Sequence, residues 1–303
     1  MERMSPDGAL LRPEPLPVEH LLFDGPLARV GAFRCPAAHP LFADSGPIVN
    51  PIFVFPRTAV WIQHDGHAPF VADPTVATLY NRGQNYRRTP LAADGDHCEW
   101  FALEPAVLAE IAAARDPRAM DRPGQPFTRG QTTIDSRTYV SQRQLVEALG
   151  AGRCDKLFVE EQVVWLARQV LETAADRTGP PQVRPRVSMR AARQHRDHVA
   201  HARQILSLHP GGASCSLHDL ARRVGVSVFH LCRVFRRHTG MTLHAYRTEL
   251  RLRHALERLL ERRAHITQIA LDLGFSSHSH FTAAFRRAFG LTPSAFVRQA
   301  RAL

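Results

Sequence analysis

The chain of 303 residues has few cysteines and no long apolar run. Its five cysteines are widely spaced and form no C-x-x-C pair, so the sequence predicts neither a disulfide framework nor a structural zinc site. No apolar stretch approaches the roughly 18 residues that a membrane-spanning helix needs. The first residues are acidic and proline-rich and lack the apolar stretch of a signal peptide. We therefore expect a cytoplasmic protein with no membrane partner.

Lysine is nearly absent, since Lys156 is the only lysine beside 38 arginines. The formal net charge of +11 is unevenly distributed. Residues 184–303 contain 21 arginines and 6 acidic residues, a net charge of +15, whereas residues 1–183 have a net charge of −4. This asymmetry is typical of a nucleic-acid-binding domain joined to a second domain. The alternative is a basic surface that only keeps the protein in solution.

A helix-turn-helix pattern occurs twice in the basic part, over residues 217–242 and 266–292. The spacing between equivalent residues is 49 up to the turn glycine and 50 after it, as in Ala221/Ala270, Gly225/Gly274, Ser227/Ser277, His230/His280, Phe235/Phe285, Arg236/Arg286, Arg237/Arg287, Gly240/Gly290 and Thr242/Thr292. In each copy the glycine suits a turn with positive φ, and the serine suits the N-cap of the second helix. Between the copies, residues 243–260 predict one helix about 27 Å long. One turn of B-DNA is about 34 Å, so the two units are predicted to read successive major-groove segments.

The acidic N-terminal part has a different pattern. From residue 19 to about 102 it consists of short apolar runs separated by turn signals. Runs such as residues 48–55 and 76–80, with turns at Gly66, Gly83 and Gly95, predict a β-sandwich or barrel. From Glu104 the pattern becomes helical, and residues 159–174 carry an apolar stripe. The stripe consists of Val163, Leu166, Val170 and Leu171. Two interpretations of it stay open, packing on the β domain or a dimer interface.

Together these patterns predict an α+β protein of two domains. Residues 1–18 are expected to be poorly ordered, and residues 19–177 to form a β domain with a helical extension. Residues 178–190 are expected to be a linker, because Pro180 and Pro181 block a helix. Residues 191–303 are expected to form an all-α domain with two helix-turn-helix units joined by the long helix.

Residues from about 199 to 299 resemble the DNA-binding domain of the AraC/XylS family of bacterial transcription regulators. The resemblance is strongest in the run from Ile269-Ala270 to Gly274-Phe275, followed by Phe281, Phe285, Gly290, Pro293 and Phe296. It implies seven helices in two subdomains, double-stranded DNA and RNA polymerase as partners, and activation as a family role. The β-rich part with its following helices is similar to the cupin-like sensing and dimerisation domains of many such regulators. That similarity implies a small effector and a homodimer.

The resemblance also implies which side chains contact DNA. The base-reading candidates are Phe229, Cys232 and Arg233 in the first recognition helix and His278, Ser279, Thr282 and Ala283 in the second. The phosphate-binding candidates are His230, Arg236, Arg237, His280, Arg286 and Arg287. Arg233 is the favoured base-reading residue, because arginine on guanine is the commonest specific contact. The alternatives for Arg233 are a phosphate contact and a surface ion pair, and a non-specific architectural role remains an alternative for the protein.

Further candidates lie outside the recognition helices. Five aromatic residues could line an effector pocket, with an ordinary core as the alternative: Trp61, Phe70, Tyr80, Tyr86 and Trp100. His195, His198 and His201 have metal-like spacing, but the row drifts around its helix, so a solvated face is favoured. His64, His67 and His97 lack the spacing of a cupin metal site. We therefore expect no metal, no cofactor and no enzymatic activity. The alternative is an enzyme fused to a DNA-binding domain, which would need a ligand set or an activated cysteine.

Overall fold

The computed structural model describes residues 18–40, 42–43, 46–176, 188–211, 216–261 and 265–302. The proline-rich segment before residue 18 and most of the predicted linker, residues 178–190, lie outside the described residues. The described chain is β-rich in its N-terminal part, residues 18–176, and helical in its C-terminal part, residues 188–302. This distribution confirms the mixed α and β composition that the sequence predicted.

Nine strands in the described residues form two antiparallel sheets. They are β1 (Glu19–Asp24), β2 (Ala28–Cys35), β3 (Ile52–Pro56), β4 (Val60–His64), β5 (Phe70–Ala72), β6 (Val76–Tyr80), β7 (Tyr86–Pro90), β8 (Asp96–Leu103) and β9 (Gln131–Thr133). One sheet has the order β1-β2-β8-β3-β6-β9 and the other β5-β4-β7. Gly66, Gly83 and Gly95 have positive φ, as the predicted turns require. The short strand β9 was not predicted.

Three helices complete the N-terminal part: α1 (Pro105–Ala113), α2 (Ser136–Gly150) and α3 (Lys156–Asp176), with a 3-10 helix (Pro117–Asp121) after α1. Val163, Leu166 and Val170 on α3 have no exposed surface within the single chain, and α3 packs against β2, β8 and β9. Packing on the sheet is therefore the correct interpretation of the apolar stripe. A dimer interface built on these three side chains is excluded, because they are already covered.

The C-terminal part contains seven helices within the described residues. They are α4 (Met189–Leu208), α5 (Leu217–Val224), α6 (Val228–Thr239), α7 (Leu243–Leu260), α8 (Ile266–Asp272), α9 (His278–Phe289) and α10 (Pro293–Ala302). Helix α7 has the bounds that the sequence predicted. Its N-cap is Thr242, whose side chain accepts a hydrogen bond from the backbone N–H of Ala245.

The two parts share a buried polar contact centred on Asp73, in the turn between β5 and β6. The Asp73 carboxylate has no exposed surface. It accepts hydrogen bonds from Arg203 Nη2 on α4 at 2.8 Å and from the Tyr246 hydroxyl on α7. The hydroxyl of Ser207 donates a third, at 3.4 Å. Burying a carboxylate is unfavourable unless it is paired and hydrogen-bonded, so this arrangement ties the β5–β6 turn to both α4 and α7.

A second buried contact joins α7 to α2 and the sheet. The Glu257 carboxylate on α7 accepts a hydrogen bond from the Tyr139 hydroxyl at 2.8 Å and pairs with Arg143 Nε at 2.7 Å. Arg57 also forms an ion pair with Glu257. One turn earlier on α7, Arg253 donates to the backbone carbonyl of Ile134 at 2.9 Å. The side of α7 that carries Arg253 and Glu257 is therefore bound to the N-terminal part.

The apolar core is continuous across the same contact. One cluster of buried residues runs from Phe53 and Phe101 in the sheet to Leu256 on α7 and to Phe281 and Phe285 on α9. The second recognition helix of the sequence prediction, α9, also packs against α2. The position of α9 therefore depends on the N-terminal part as well as on its neighbours in the C-terminal part.

Candidate nucleic-acid interface

The first helix pair consists of α5 and α6 with a three-residue connection. Gly225 ends α5 in the left-handed region with φ of 81°, where a side chain would add strain. The side chain of Ser227 accepts a hydrogen bond from the backbone N–H of His230 at 3.2 Å and caps α6. Gly240 ends α6 with φ of 75°. These local features confirm the sequence prediction of turn, cap and stop.

The second helix pair, α8 and α9, has the same construction. Gly274 lies in the connection with φ of 74°, and Ser277 accepts a hydrogen bond from the backbone N–H of His280 at 3.1 Å. Gly290 ends α9 with φ of 77°. Phe281 and Phe285 are fully buried beneath α9, which fixes the outward face of the helix. The two pairs differ at the N-terminus of their first helix. Ser216 caps α5 with its side chain, whereas the N-cap of α8, His265, makes no side-chain cap hydrogen bond.

The predicted DNA-contacting residues lie on the outward faces of α6 and α9. Phe229 is 76% exposed. Exposed side chains among the other candidates are Cys232, Arg233, Arg236, Arg237, His278, Ser279, His280, Ala283, Arg286 and Arg287. His230 and Thr282 are half-buried. The structure therefore brings each set of candidates together on one helix face.

The arginines on these faces carry charge that the protein does not neutralise. In the described part of the chain, none of Arg233, Arg236, Arg237, Arg286 and Arg287 takes part in an ion pair. By contrast, Arg143, Arg203 and Arg253 pair with buried carboxylates or carbonyls at the contact between the two parts. The unpaired arginines of α6 and α9 are therefore free to bind a polyanion.

A group of histidines lies beside the first recognition helix. The ring of His195 on α4 is 5.3 Å from the ring of His230 on α6, and His198 is 5.8 Å from His230. Burial, and then the charge of His230, lowers the pKa of both His195 and His198. The prediction of one solvated row is therefore wrong for His195 and His198, which pack on α6, whereas His201 is exposed. Sequence reasoning missed this contact because His195 and His198 lie more than 30 residues before His230 in the chain.

The aromatic candidates of the N-terminal part do not form one site. Tyr80, Tyr86 and Trp100 line a cavity of about 200 Å³ between the two sheets, with 4.6 Å between the two tyrosine rings. Phe70 borders a different cleft, next to α4. Trp61 is half-buried and lies outside both linings. The cavity also contains the ion pair of Arg88 with Asp96, at 3.3 Å.

Other candidate chemistry has little structural support in the residues described. No three His, Cys, Asp or Glu side chains among them are grouped as metal ligands. Burial, with a smaller effect of His67, lowers the pKa of His64 to about 4. The His64 ring packs against Tyr80, with 4.9 Å between the ring centroids. Within the same residues, no helix is both long and apolar enough to span a membrane.

Comparison with known proteins locates the similarity in the C-terminal part. Residues 220–299 match the family model described as a helix-turn-helix domain. The HTH-type transcriptional regulator GlxA of Rhizobium meliloti is 47% identical over 81 residues, which are 26% of this chain and 25% of that protein. The HTH-type transcriptional activator RhaS of Pectobacterium carotovorum is 41% identical over 82 residues, 27% of this chain and 29% of that protein. The match thus spans little more than a quarter of either relative.

A solved structure is also similar to part of this chain. A transcriptional regulator of Chromobacterium violaceum, described as an AraC-type DNA-binding domain-containing protein, is 34% identical with a TM-score of 0.31. The likeness covers 34% of this chain and 91% of that one. The family match begins inside α5 and ends inside α10, so it contains both helix connections and both capping serines. Residues 220–299 of this chain therefore match a helix-turn-helix domain and are similar to the corresponding part of these transcription regulators.

Proposed function

We propose that the protein is a sequence-specific DNA-binding transcription regulator of the AraC/XylS type, and not an enzyme. Helices α6 and α9 are the two recognition helices, and each enters an adjacent segment of the major groove. The observation that carries this proposal is the repeat of exposed, unpaired arginines at equivalent positions of both helices, Arg236/Arg286 and Arg237/Arg287. A structural surface charge would not need to repeat in register with the capping serines.

The residues divide by role in this proposal. Phe229, Cys232 and Arg233 read bases in the first half-site. His278, Ser279, Thr282 and Ala283 face the second half-site. The arginine pairs near the helix ends bind phosphate together with His230 and His280, which gives affinity and salt dependence. The short side chain of Ala283 limits reach, so the second half-site is read more through DNA shape.

The N-terminal part supplies control in the same proposal. We assign residues 19–177 to a cupin-like sensing and dimerisation domain, residues 178–190 to a linker and residues 191–303 to the DNA-binding domain. Tyr80, Tyr86 and Trp100 line the candidate effector cavity. RNA polymerase is the expected protein partner, and the protein acts in the cytoplasm. Native mass spectrometry of the full chain tests two of these assignments, because it reports both the oligomeric state and any co-purified small molecule.

The proposed function is tested by selecting genomic DNA fragments with the full chain at about 150 mM salt, where non-specific binding is weak. We expect the selected fragments to share a motif of two half-sites about one helical turn apart, centre to centre. Recovery of fragments without a common motif would contradict sequence-specific binding. It would favour a non-specific architectural role.

The change Arg233→Ala tests the assignment of base-reading residues. We expect it to weaken binding to the selected site by about 1–3 kcal/mol and to relax the preference at one base pair. The measurement is binding to a panel of duplexes that carry each base at each motif position. The matched control is Arg223→Ala, an exposed arginine on α5. Equal loss of affinity on every duplex would make Arg233 a phosphate contact.

A further inference from the structure

Four histidines lie together where α4 packs against the first recognition helix, α6. His195 and His198 are on α4, and His230 and His238 are on α6. The ring of His195 is 5.3 Å from that of His230 and 6.3 Å from that of His238. The ring of His198 is 5.8 Å from that of His230. The four rings therefore form one group, the α4–α6 histidine group.

This group borders the proposed DNA-binding face of α6. Burial and the charge of His230 lower the pKa of His195, and the charges of Arg233 and Arg237 lower it further. Such an effect requires proximity, because exposed charges beyond about 8 Å are largely screened. Arg233 and Arg237 are two of the exposed DNA-contact candidates on α6. A phosphate bound by either arginine therefore also acts on His195, with the opposite sign.

The free protein disfavours a positive charge on these rings. Burial is the largest cause of the lowered pKa of His198, and His230 and His195 add to it, whereas Asp197 acts in the opposite direction. The Nδ1 atom of His198 is buried without a hydrogen-bond partner in the described structure, so no acceptor stabilises a proton on it. The other charged or titratable groups beside the α4–α6 histidine group are His201 and Arg196 on α4 and Arg129 of the N-terminal part.

A DNA phosphate reverses this balance. His195 and His198 are half-buried, so part of each side chain is open to solvent and to a ligand. A phosphate oxygen accepts a charge-assisted hydrogen bond from a protonated imidazole, which favours the charged form. An imidazole pKa is ordinarily about 6.5, so the change from the free to the DNA-bound protein crosses the near-neutral range.

We propose that the face of α4 beside α6 belongs to the DNA interface, and that His195 and His198 bind the DNA backbone there in their protonated form. DNA binding then takes up protons. By linkage, affinity rises as the pH falls through the pKa of the DNA-bound histidines, and it levels off below the pKa of the free ones. This inference rests on the proposed DNA-binding function. It does not depend on which bases are read, because phosphate contacts carry no sequence information.

The test is binding of the full chain to a duplex of arbitrary sequence at about 50 mM salt, where phosphate contacts alone give binding. Fluorescence anisotropy is measured across a pH series in the presence of EDTA, so that no metal ion bridges the rings. We expect the wild type to bind at least about tenfold more tightly at about pH 5.5 than at about pH 7.5. In the double variant His195→Gln with His198→Gln, this rise should be about threefold or less.

Two further variants separate the group from general effects. The control His20→Gln with His218→Gln removes two exposed histidines elsewhere and should keep the rise of the wild type. His195→Arg carries a fixed charge, so we expect it to bind DNA about threefold more tightly than the wild type at about pH 7.5. A purely structural role of His195 would instead weaken binding in this variant at every pH.

Two outcomes would overturn this inference alone. They are DNA binding by the wild type that does not change with pH, and an equal rise in the wild type and the His195→Gln, His198→Gln variant. Absence of DNA binding at every pH would contradict the proposed function, and this inference with it. The pH series therefore distinguishes the failure of one from the failure of both.

Discussion

Replacing Arg236, Arg237, Arg286 and Arg287 together by glutamine is expected to reduce DNA affinity on the order of a thousandfold at 150 mM salt. Binding of each phosphate releases counterions, so the slope of log affinity against log salt should become less steep by about 0.9 for every phosphate that the variant no longer binds. All four side chains are exposed. The change should therefore leave the folded structure intact. The measurement is fluorescence anisotropy with a selected duplex at several salt concentrations.

The control for this experiment removes the same number of charges from the N-terminal part. Arg34, Arg82, Arg87 and Arg118 are exposed there, and their joint replacement by glutamine lowers the net charge equally. Charges beyond a Debye length of about 8 Å are largely screened, so we expect an affinity change of less than about threefold. An equal loss of affinity in both variants would mean that overall charge drives binding, and it would contradict an interface on α6 and α9.

The second large effect is expected for Asp73→Ala. Arg203 is buried and its side chain is only 10% exposed, so removal of Asp73 leaves a buried cation without its partner. Breaking a buried ion pair in this way costs about 3–5 kcal/mol of unfolding free energy. The Tyr246 hydroxyl is left without its acceptor in the same step. The measurement is urea-induced unfolding of the full chain, followed by circular dichroism and tryptophan fluorescence.

The matched variant carries two changes, Asp73→Ala and Arg203→Met, so that both partners of the ion pair are replaced. Replacing a buried pair by apolar side chains removes the unpaired charge, so the double variant should be more stable than Asp73→Ala alone. A destabilisation below about 1 kcal/mol in Asp73→Ala would contradict the contact between the β5–β6 turn and α4.

The Asp73 contact also predicts a pH dependence. Burial acts to raise the pKa of Asp73, but Arg203 and hydrogen bonds from Thr75 and Tyr246 outweigh it and hold the pKa below its usual value. The ionised carboxylate therefore contributes its full stability above the unfolded pKa of about 3.9. That stability is lost as the pH falls from this unfolded-state value through the lower pKa that Asp73 has in the folded protein. We expect Asp73→Asn to have a shallower fall in unfolding free energy below about pH 4 than the wild type; parallel profiles would contradict this assignment.

Much of the C-terminal part could be predicted because its signals are local. The turn glycines, the capping serines and the threonine before α7 each act within four residues, so a periodic apolar pattern between them fixes a helix. Helix α7 has the predicted bounds for this reason. Strand β9 could not be predicted, since its three residues are Gln-Thr-Thr and it exists only because β6 offers a free edge.

The contacts between the N-terminal and C-terminal parts could not be predicted from the sequence. Asp73 and Arg203 lie 130 residues apart, and neither has a local pattern that marks it as buried. Arg253 and Glu257 look like ordinary solvent-facing charges on a helix, yet they are 2% and 9% exposed. Only the chain's tertiary packing shows that the polar side of α7 faces the sheet. The outward position of the candidate DNA-contacting residues could be predicted from the sequence, because the apolar stripe of each recognition helix marks the face opposite to them.

In the proposed function, α6 and α9, joined by α7, read one face of a duplex together. The most direct test is binding to the selected site after about 5 bp, half a helical turn, has been inserted between the two half-sites. A linker helix held by Glu257 and Arg253 cannot follow that rotation, so we expect affinity to fall to that of a single half-site. Unchanged affinity in the lengthened site would show that the two helices do not bind together, and it would contradict the proposed function.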